Sequence, residues 1–238
     1  DKTVATIFVN PLQFGPNEDF ETYPRTIERD LSLLEARRCD IVFTPDRSAL
    51  FPPDFSTKIS VAGVGEDHCA ISRPQFFDGV ATIVMKLLMI LSPHLAVFGE
   101  KDYQQLMVIR RLVRDLDIDV EIVGAPTVRE SDGLALSSRN QYLTPSERSA
   151  APALYETMVL AAERLRQSDV LWPEIGQWAD RRLRDAGFSK VDYFHPVDAN
   201  TLDRIKKADR PARLLAAAWI GKTRLIDNIP IAVSRPHS

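Results

Sequence analysis

Cysteine is nearly absent from this 238-residue chain: only Cys39 and Cys69 occur, far apart and with no partner spacing. That excludes a disulfide framework and points to a reducing, cytoplasmic compartment. An excess of one charge is lacking too. Thirty Lys and Arg stand against 33 Asp and Glu, a net charge of −3. Such a balance offers no broad cationic surface to nucleic acid or to a membrane, although a few placed cations can still bind single phosphates. No apolar run is long enough to span a bilayer, and no charged-then-apolar leader opens the chain. Histidine is scarce as well. His68, His94, His195 and His237 fall in loops, an alternating strand and the tail, where a solvated or hydrogen-bonded ring is the expected state.

What is present is ordinary globular material, 45% hydrophobic and 26% charged, enough for one large domain or two small ones. Asp1-Lys2 runs straight into Thr3–Val9, a buried-strand pattern. The expectation is that a further segment precedes it. Without a neighbouring strand, Thr3–Val9 would border a groove of apolar side chains and unpaired backbone groups, each costing about 1–3 kcal/mol where buried.

Short apolar runs alternate with helical periodicity over the first half. Thr3–Val9, Asp40–Phe43, Lys58–Val61, Leu95–Phe98 and Asp119–Val123 read as strands. Ile27–Arg37, Phe77–Leu91 and Tyr103–Leu116 read as amphipathic helices; Val80, Ile83, Val84, Leu87, Leu88 and Leu91 share one face of the second. This alternation predicts an α/β fold, a Rossmann-like doubly wound parallel sheet covered by helices. The pattern changes near Pro126. Thr144-Pro145-Ser146-Glu147 is a helix start with cap, proline and capping-box Glu, opening a helix through Leu154, Met158, Ala161 and Leu165. Pro173–Ala186 is a second helix, stopped by Gly187. Alternating strands follow, two of them joined at Gly221-Lys222. The expected division is therefore residues 1–126, Rossmann-like, and 127–238, a smaller α+β C-terminal domain. Trp172, Trp178 and Trp219 have core spacing, and Cys39 reads as a small buried hydrophobe.

Four segments carry candidate chemistry. Phe98-Gly99-Glu100-Lys101-Asp102-Tyr103-Gln104-Gln105 follows a strand and opens a helix. Free N–H groups at such a junction suit phosphate. Gly99 permits close approach of a ligand, Lys101 can reach a phosphate and Asp102 a ribose hydroxyl. The bland alternative is a strand–helix turn with a solvated Lys and a capping Asp. Asp132 to Asn140 places Ser137 and Ser138 beside Arg139, short and forked donors able to clamp polyphosphate, or simply a polar loop. Asn10-Pro11-Leu12-Gln13-Phe14 lies at the carboxyl end of the first strand, where ligands bind in open α/β sheets; Gln13 can both donate and accept. Tyr23-Pro24-Arg25-Thr26 precedes a helix with Glu28 and Asp30 in its first turn, acids that ordinarily answer the helix dipole.

Taken in order and spacing with Tyr142-Leu143 and Arg224-Leu225-Ile226-Asp227-Asn228, these segments make the chain similar to the pantothenate synthetases, over essentially its whole length. The resemblance implies a nucleotidyltransferase-type Rossmann domain with a smaller second domain, usually in a cytoplasmic homodimer of the coenzyme A pathway. It implies an ATP-dependent ligase that condenses pantoate with β-alanine through pantoyl adenylate, with Mg2+ accompanying ATP and no tightly bound organic cofactor. Residue by residue, Gln13 and Gln105 would hold pantoate. Gly99 and Asp102 would bind the ribose, Val128 and Leu136 would offer backbone groups to adenine, and Lys101, Ser137, Ser138 and Arg139 would hold the phosphates. Lys101 and Arg139, from two domains, would meet across a cleft. Asp30 matches an acid near the magnesium; Asn10, Tyr23 and Arg73 would border the β-alanine side.

Two departures stand out. The family's H-x-G-H motif, which contacts the ATP phosphates, does not occur; the expectation places it before Asp1 and makes the chain by itself inactive. The family's R-P-x-H-F loop reads Arg73-Pro74-Gln75-Phe76-Phe77 here, and an acid slightly earlier is Cys69, so the loop is expected to be a mobile lid with altered handling of the second substrate. Two rival readings follow. Another nucleotidyltransferase would want cations for its acceptor where Gln13 and Gln105 stand. A non-catalytic nucleotide-binding remnant would bind ATP without pantoate-dependent release of pyrophosphate.

Overall fold

The computed structural model describes residues 1–15, 20–66, 68, 69, 73, 75–167 and 171–232. The chain divides into two compact units, Asp1–His94 with Arg111–Val120, and Leu95–Arg110 with Glu121–Ser238.

In the first unit, strand β1 (Val4–Thr6) pairs in parallel with β2 (Ile41–Phe43), Val4 opposite Ile41. The sequence suggested a strand out to Val9. Ladder pairing is shorter because its partner ends at Phe43, opposite Thr6; the Ile7 N–H still donates to the Phe43 carbonyl at 3.0 Å, and the chain then reaches a 3-10 turn at Pro11–Gln13. Among the described residues no strand pairs with the second edge of β1. Helix α1 (Ile27–Ala36) buries none of its residues; Ile27, Leu31 and Leu33 are exposed. A single turn, α2 (Arg47–Leu50), follows β2. Helix α3 (Phe76–Leu91) forms because its apolar residues recur at helical spacing. Val80, Ala81, Ile83, Val84 and Leu88 are buried, and each large aliphatic side chain contributes about 1.5–3 kcal/mol of burial.

The expected strand Lys58–Val61 is a correction: it is not a strand. The Ile59 N–H donates to the Thr82 hydroxyl of α3 at 3.0 Å. A side chain satisfies backbone that a ladder would otherwise take up.

In the second unit, β3 (Leu95–Gly99) pairs in parallel with β4 (Glu121–Ala125), residue for residue. Helix α4 (Tyr103–Asp115) follows β3, with Leu106, Val108 and Ile109 buried in this unit; from Arg111 on the helix belongs to the first unit. A capping box at Thr144 and Glu147 opens α5 (Pro145–Ala150). The single helix expected there is two. Pro152 interrupts the ladder, and α6 (Ala153–Gln167) starts after it. Helix α7 (Trp172–Asp185) ends before Gly187, whose φ of +101° favours glycine. Strands β5 (Lys190–Asp198), β6 (Ala212–Ile220) and β7 (Thr223–Ile231) form an antiparallel sheet in that order. Met158 and Ala161 of α6 and Ala179 and Leu183 of α7 join the core with Leu214, Ala216, Ala218 and Ile220 of β6. Trp172 stacks on Phe194 at 5.9 Å. The fold is thus α/β with parallel strand pairs, followed by a separate α+β antiparallel sheet.

Two side-chain readings change. Cys39 is half-buried, its Sγ on the Thr3 and Ile41 carbonyls, so it is a polar joint more than a core hydrophobe. Trp219 packs but also donates its indole N–H to Asp192 at 3.1 Å.

Candidate active site

The second unit builds its candidate site on one turn. Strand β3 ends at Gly99, and Glu100–Asp102 form a 3-10 turn that leads into α4. A Cβ on Gly99 would meet nothing within 4 Å, so the backbone there faces open space. Lys101 is half-buried and Asp102 exposed. Gln105, one turn into α4, is half-buried, and its neighbour Gln104 is buried.

What holds this turn is Asn228 of β7, buried to 3% exposure. Its amide nitrogen donates to the Glu100 carbonyl at 2.9 Å and the Lys101 carbonyl at 2.8 Å. Its amide oxygen accepts from Arg213 Nε at 2.5 Å. Arg213 also donates to Glu100 Oε2 at 2.7 Å and lies 4.0 Å over the Tyr103 ring. The Tyr103 hydroxyl in turn donates to the Ala199 carbonyl. Beside Asn228, the Asp227 carboxylate receives both forks of Arg129, at 2.6 and 2.9 Å, and the Asn228 N–H at 2.7 Å. Arg129 reaches the Gly133 carbonyl and stacks on Tyr155. None of Arg129, Arg213, Glu100, Asp227 and Asn228 was given a role by the sequence. The available signal was Asp-Asn in the middle of an apolar strand, residue types that strands disfavour.

Arg129 belongs to a short hairpin in which it pairs with Ala135. The Leu136 N–H donates to the Val128 carbonyl at 3.0 Å. Among the described residues no backbone hydrogen bond takes up the Val128 N–H or the Leu136 carbonyl, one donor and one acceptor beside two exposed side chains. Asp132 at the tip is gripped by Arg148 at 2.6 Å, and that guanidinium holds its carboxyl below the usual range. Past the hairpin, Ser137 caps a 3-10 turn, Ser138–Tyr142, by accepting from the Arg139 N–H. Ser138 and Arg139 are half-buried and each engages a neighbour in the chain. Sequence reasoning put Lys101 and Arg139 on different domains; both fall in the second compact unit, on turns that each pack against β7.

In the first unit, Asn10 is 3% exposed. It caps the Pro11–Gln13 turn through the Leu12 N–H and donates to the Gly79 carbonyl of α3 at 3.0 Å. Arg73 donates to the Gln13 carbonyl at 2.7 Å and lies 3.9 Å over the Phe76 ring. Gln13 is half-buried, as is Tyr23, whose ring meets Phe14 edge-on at 5.5 Å. Asn10, Gln13 and Arg73 therefore come together. Asp30 accepts from the Thr26 hydroxyl at the start of α1, as a dipole partner does. No group of three or more His, Cys, Asp or Glu that could hold a metal forms among the described residues. His68 and Cys69 are buried and His195 is buried on β5, while His94 is exposed; His237 lies outside the described residues, as does Pro74 of the loop.

Parallel strand pairs, each followed by a turn, and a separate antiparallel sheet define an α/β protein with a second α+β part. Comparison with known proteins makes this specific. The pantoate-beta-alanine ligase family model matches residues 1–230. The chain is 51% identical over 231 residues to the pantothenate synthetase of Paramagnetospirillum magneticum, covering 97% of this chain and 81% of that protein. It is 50% identical to the one from Rhodospirillum rubrum, covering 97% and 82%. Among solved structures, pantothenate synthetase from Thermus thermophilus superposes with a TM-score of 0.92 at 44% identity, over 97% of this chain and 83% of that one. The pantoate-beta-alanine ligase from Francisella tularensis, complexed with beta-gamma ATP and beta-alanine, gives 0.77 at 34% identity, over 97% and 79%. The chain belongs to the pantoate-beta-alanine ligase family.

Proposed function

We propose that the protein is an ATP-dependent ligase that joins pantoate to β-alanine. The observation that carries this reading is the family match over residues 1–230 on a chain whose Gly99–Asp102 turn is open to a ligand and braced from behind. A pantoate carboxylate oxygen attacks the α-phosphorus of ATP, and the bond to the β-phosphate oxygen breaks to release pyrophosphate. The free amine of β-alanine then attacks the acyl carbon of pantoyl adenylate. AMP leaves with the bonding electrons, and the amine's proton goes to solvent. No covalent bond to the protein is needed, so catalysis comes from alignment and from charge stabilisation on the phosphates.

The roles fall to the residues as follows. Lys101 and Arg139 offset the charge of the polyphosphate, and Ser137 and Ser138 donate hydrogen bonds to it. Asp102 and the open backbone at Gly99 receive the ribose. The free Val128 N–H and Leu136 carbonyl match an acceptor and a donor on adenine. Gln13 and Gln105 read pantoate, and Asn10, Tyr23 and Arg73 shape the β-alanine side. Mg2+ would accompany ATP and offset the charge of the phosphates; Asp30 is the acid that would stand near it. A homodimer and a cytoplasmic setting complete the proposal. The family match disfavours a different acceptor or a non-catalytic remnant.

The test, made on the full-length enzyme, is pyrophosphate release with ATP, Mg2+ and pantoate, before β-alanine is added. One equivalent per site is expected, followed by turnover and AMP release once β-alanine is supplied. ADP as the nucleotide product, or pyrophosphate release that ignores pantoate, overturns the reading.

A further inference from the structure

We propose that Asn228 is a positioning residue for the ATP site, and that the Asp227–Asn228 step of β7 sets both of its halves at once. The inference rests on the proposed ATP site, and concerns how that site keeps its shape. Asn228 uses both polar atoms of its side chain. Both amide hydrogens go to consecutive carbonyls of the Gly99–Asp102 turn and the oxygen to Arg213. Carbonyls can only accept and an arginine nitrogen can only donate, so chemistry fixes the orientation of the amide. Aspartate has no hydrogens for the carbonyls, and a hydrophobe has neither function.

Two peptide planes are thereby pinned. In a trans peptide the C=O and the next N–H point in opposite directions. With the Glu100 and Lys101 carbonyls held on β7, the N–H groups of Lys101 and Asp102 point away from it. Glu100 is tethered to Arg213 at 2.7 Å, which keeps that acid on the same cation that orients Asn228. The neighbouring Asp227 holds Arg129 bidentately, and Arg129 directly follows Val128 in the hairpin that offers its free edge. The same strand position thus fixes the lysine-bearing turn and the hairpin edge. The residues joined are 127 and 128 apart for Asn228 with Lys101 and Glu100, and 98 apart for Arg129 with Asp227.

The experiment compares Lys101→Ala, Asn228→Ala and the double variant in the full-length enzyme, with KM for ATP, KM for pantoate and kcat measured for each. Asn228→Ala is expected to raise the KM for ATP about tenfold, the scale of a lost buried hydrogen-bond anchor, with the pantoate KM within about twofold. The double variant should be little worse than Lys101→Ala alone, because groups acting as a unit are non-additive. Arg213→Lys, which keeps the cation but loses the fork, provides a milder variant should Asn228→Ala fold poorly; a rise of a few-fold in the KM for ATP is expected. Fully multiplicative effects, or a fall in active fraction and melting temperature with the KM for ATP unchanged, overturn the positioning role. If Lys101→Ala itself leaves ATP use unchanged, the ATP-site reading has failed and the positioning role falls with it; a loss in Lys101→Ala with Asn228→Ala unchanged overturns the positioning role alone.

Discussion

Two turns that follow parallel strands carry the residues proposed to bind substrate, and each is pinned by a buried asparagine, but in different ways. The Pro11–Gln13 turn is held by its own cap, Asn10, which is local in sequence and reaches one carbonyl of α3. The Gly99–Asp102 turn is held from a strand of the C-terminal sheet, through an amide whose every polar atom is used and which is backed by two arginines and two acids. Their surroundings differ in the same sense. Strand β6 beside Asn228 is buried along nearly its whole length, whereas β1 and β2 carry no fully buried residue and α1 buries none. The contrast is between two ways of fixing a turn: the one proposed to take the polyphosphate is braced by distant, paired polar side chains, and the one proposed to read pantoate is set by a local cap.

The largest expected effect comes from the braced turn. Lys101→Ala should slow pantoate-dependent pyrophosphate release about 100-fold or more, the scale for a lost electrostatic group; a rate within threefold of the parent would remove Lys101 from the phosphate site. The locally set turn breaks by crowding. A methyl at Gly79 would run into the Leu12 carbonyl, so Gly79→Ala should destabilise the protein by about 1–3 kcal/mol and raise the pantoate KM with ATP binding retained. Equal loss of ATP affinity, measured by calorimetry, would erase the distinction between the turns. Gln13→Ala should raise the pantoate KM about tenfold, the cost of one buried hydrogen bond, without the stability loss.

A smaller effect concerns the loop. Phe76→His removes the ring under Arg73, a contact of about 0.5–1 kcal/mol, and should alter β-alanine use by a few-fold while adenylation stays constant. If adenylation changes instead, Arg73 acts on the first step.

The smallest is a pH effect away from both turns. Burial opposes ionisation of Asp192, but Arg224 at 2.7 Å, Lys190 at 2.8 Å and the Trp219 indole hold its carboxyl below the usual range. A carboxyl lowered in the folded state adds stability above its unfolded value of about 3.9, and that stability disappears as pH falls through the folded value. The parent's melting temperature should therefore drop as pH falls below about 4. Asp192→Asn should start lower at neutral pH and fall less over the same acid range; parallel curves would show that the carboxylate does not carry the effect.

Local signals made much of this legible. Helical spacing located α3, α4 and α7 to within a residue or two, and the capping box at Thr144 and Glu147 marked the start of α5. The reading failed where a residue's partner was tertiary. Lys58–Val61 has strand-forming residues, yet Thr82 satisfies Ile59 and no ladder forms. Pro152 broke a helix whose apolar rhythm ran on across it. At the site, the segments around Gln13, Lys101 and Arg139 stood out because each is contiguous. The bracing did not, because Asn228 and Lys101 meet only after the chain has folded.

The bidentate contact between Arg129 and Asp227 constrains how this sequence can drift. Asp227 is 3% and Arg129 17% exposed at the side chain. Replacing either alone strands a desolvated charge, at a cost of about 3–5 kcal/mol, whereas replacing both with apolar groups of matching volume is often neutral for stability. A library randomised at the two positions together and selected for folding should return pairs, charge with charge or hydrophobe with hydrophobe. Viable neighbours of this sequence are therefore reached at these positions by two coordinated changes, with a valley between them.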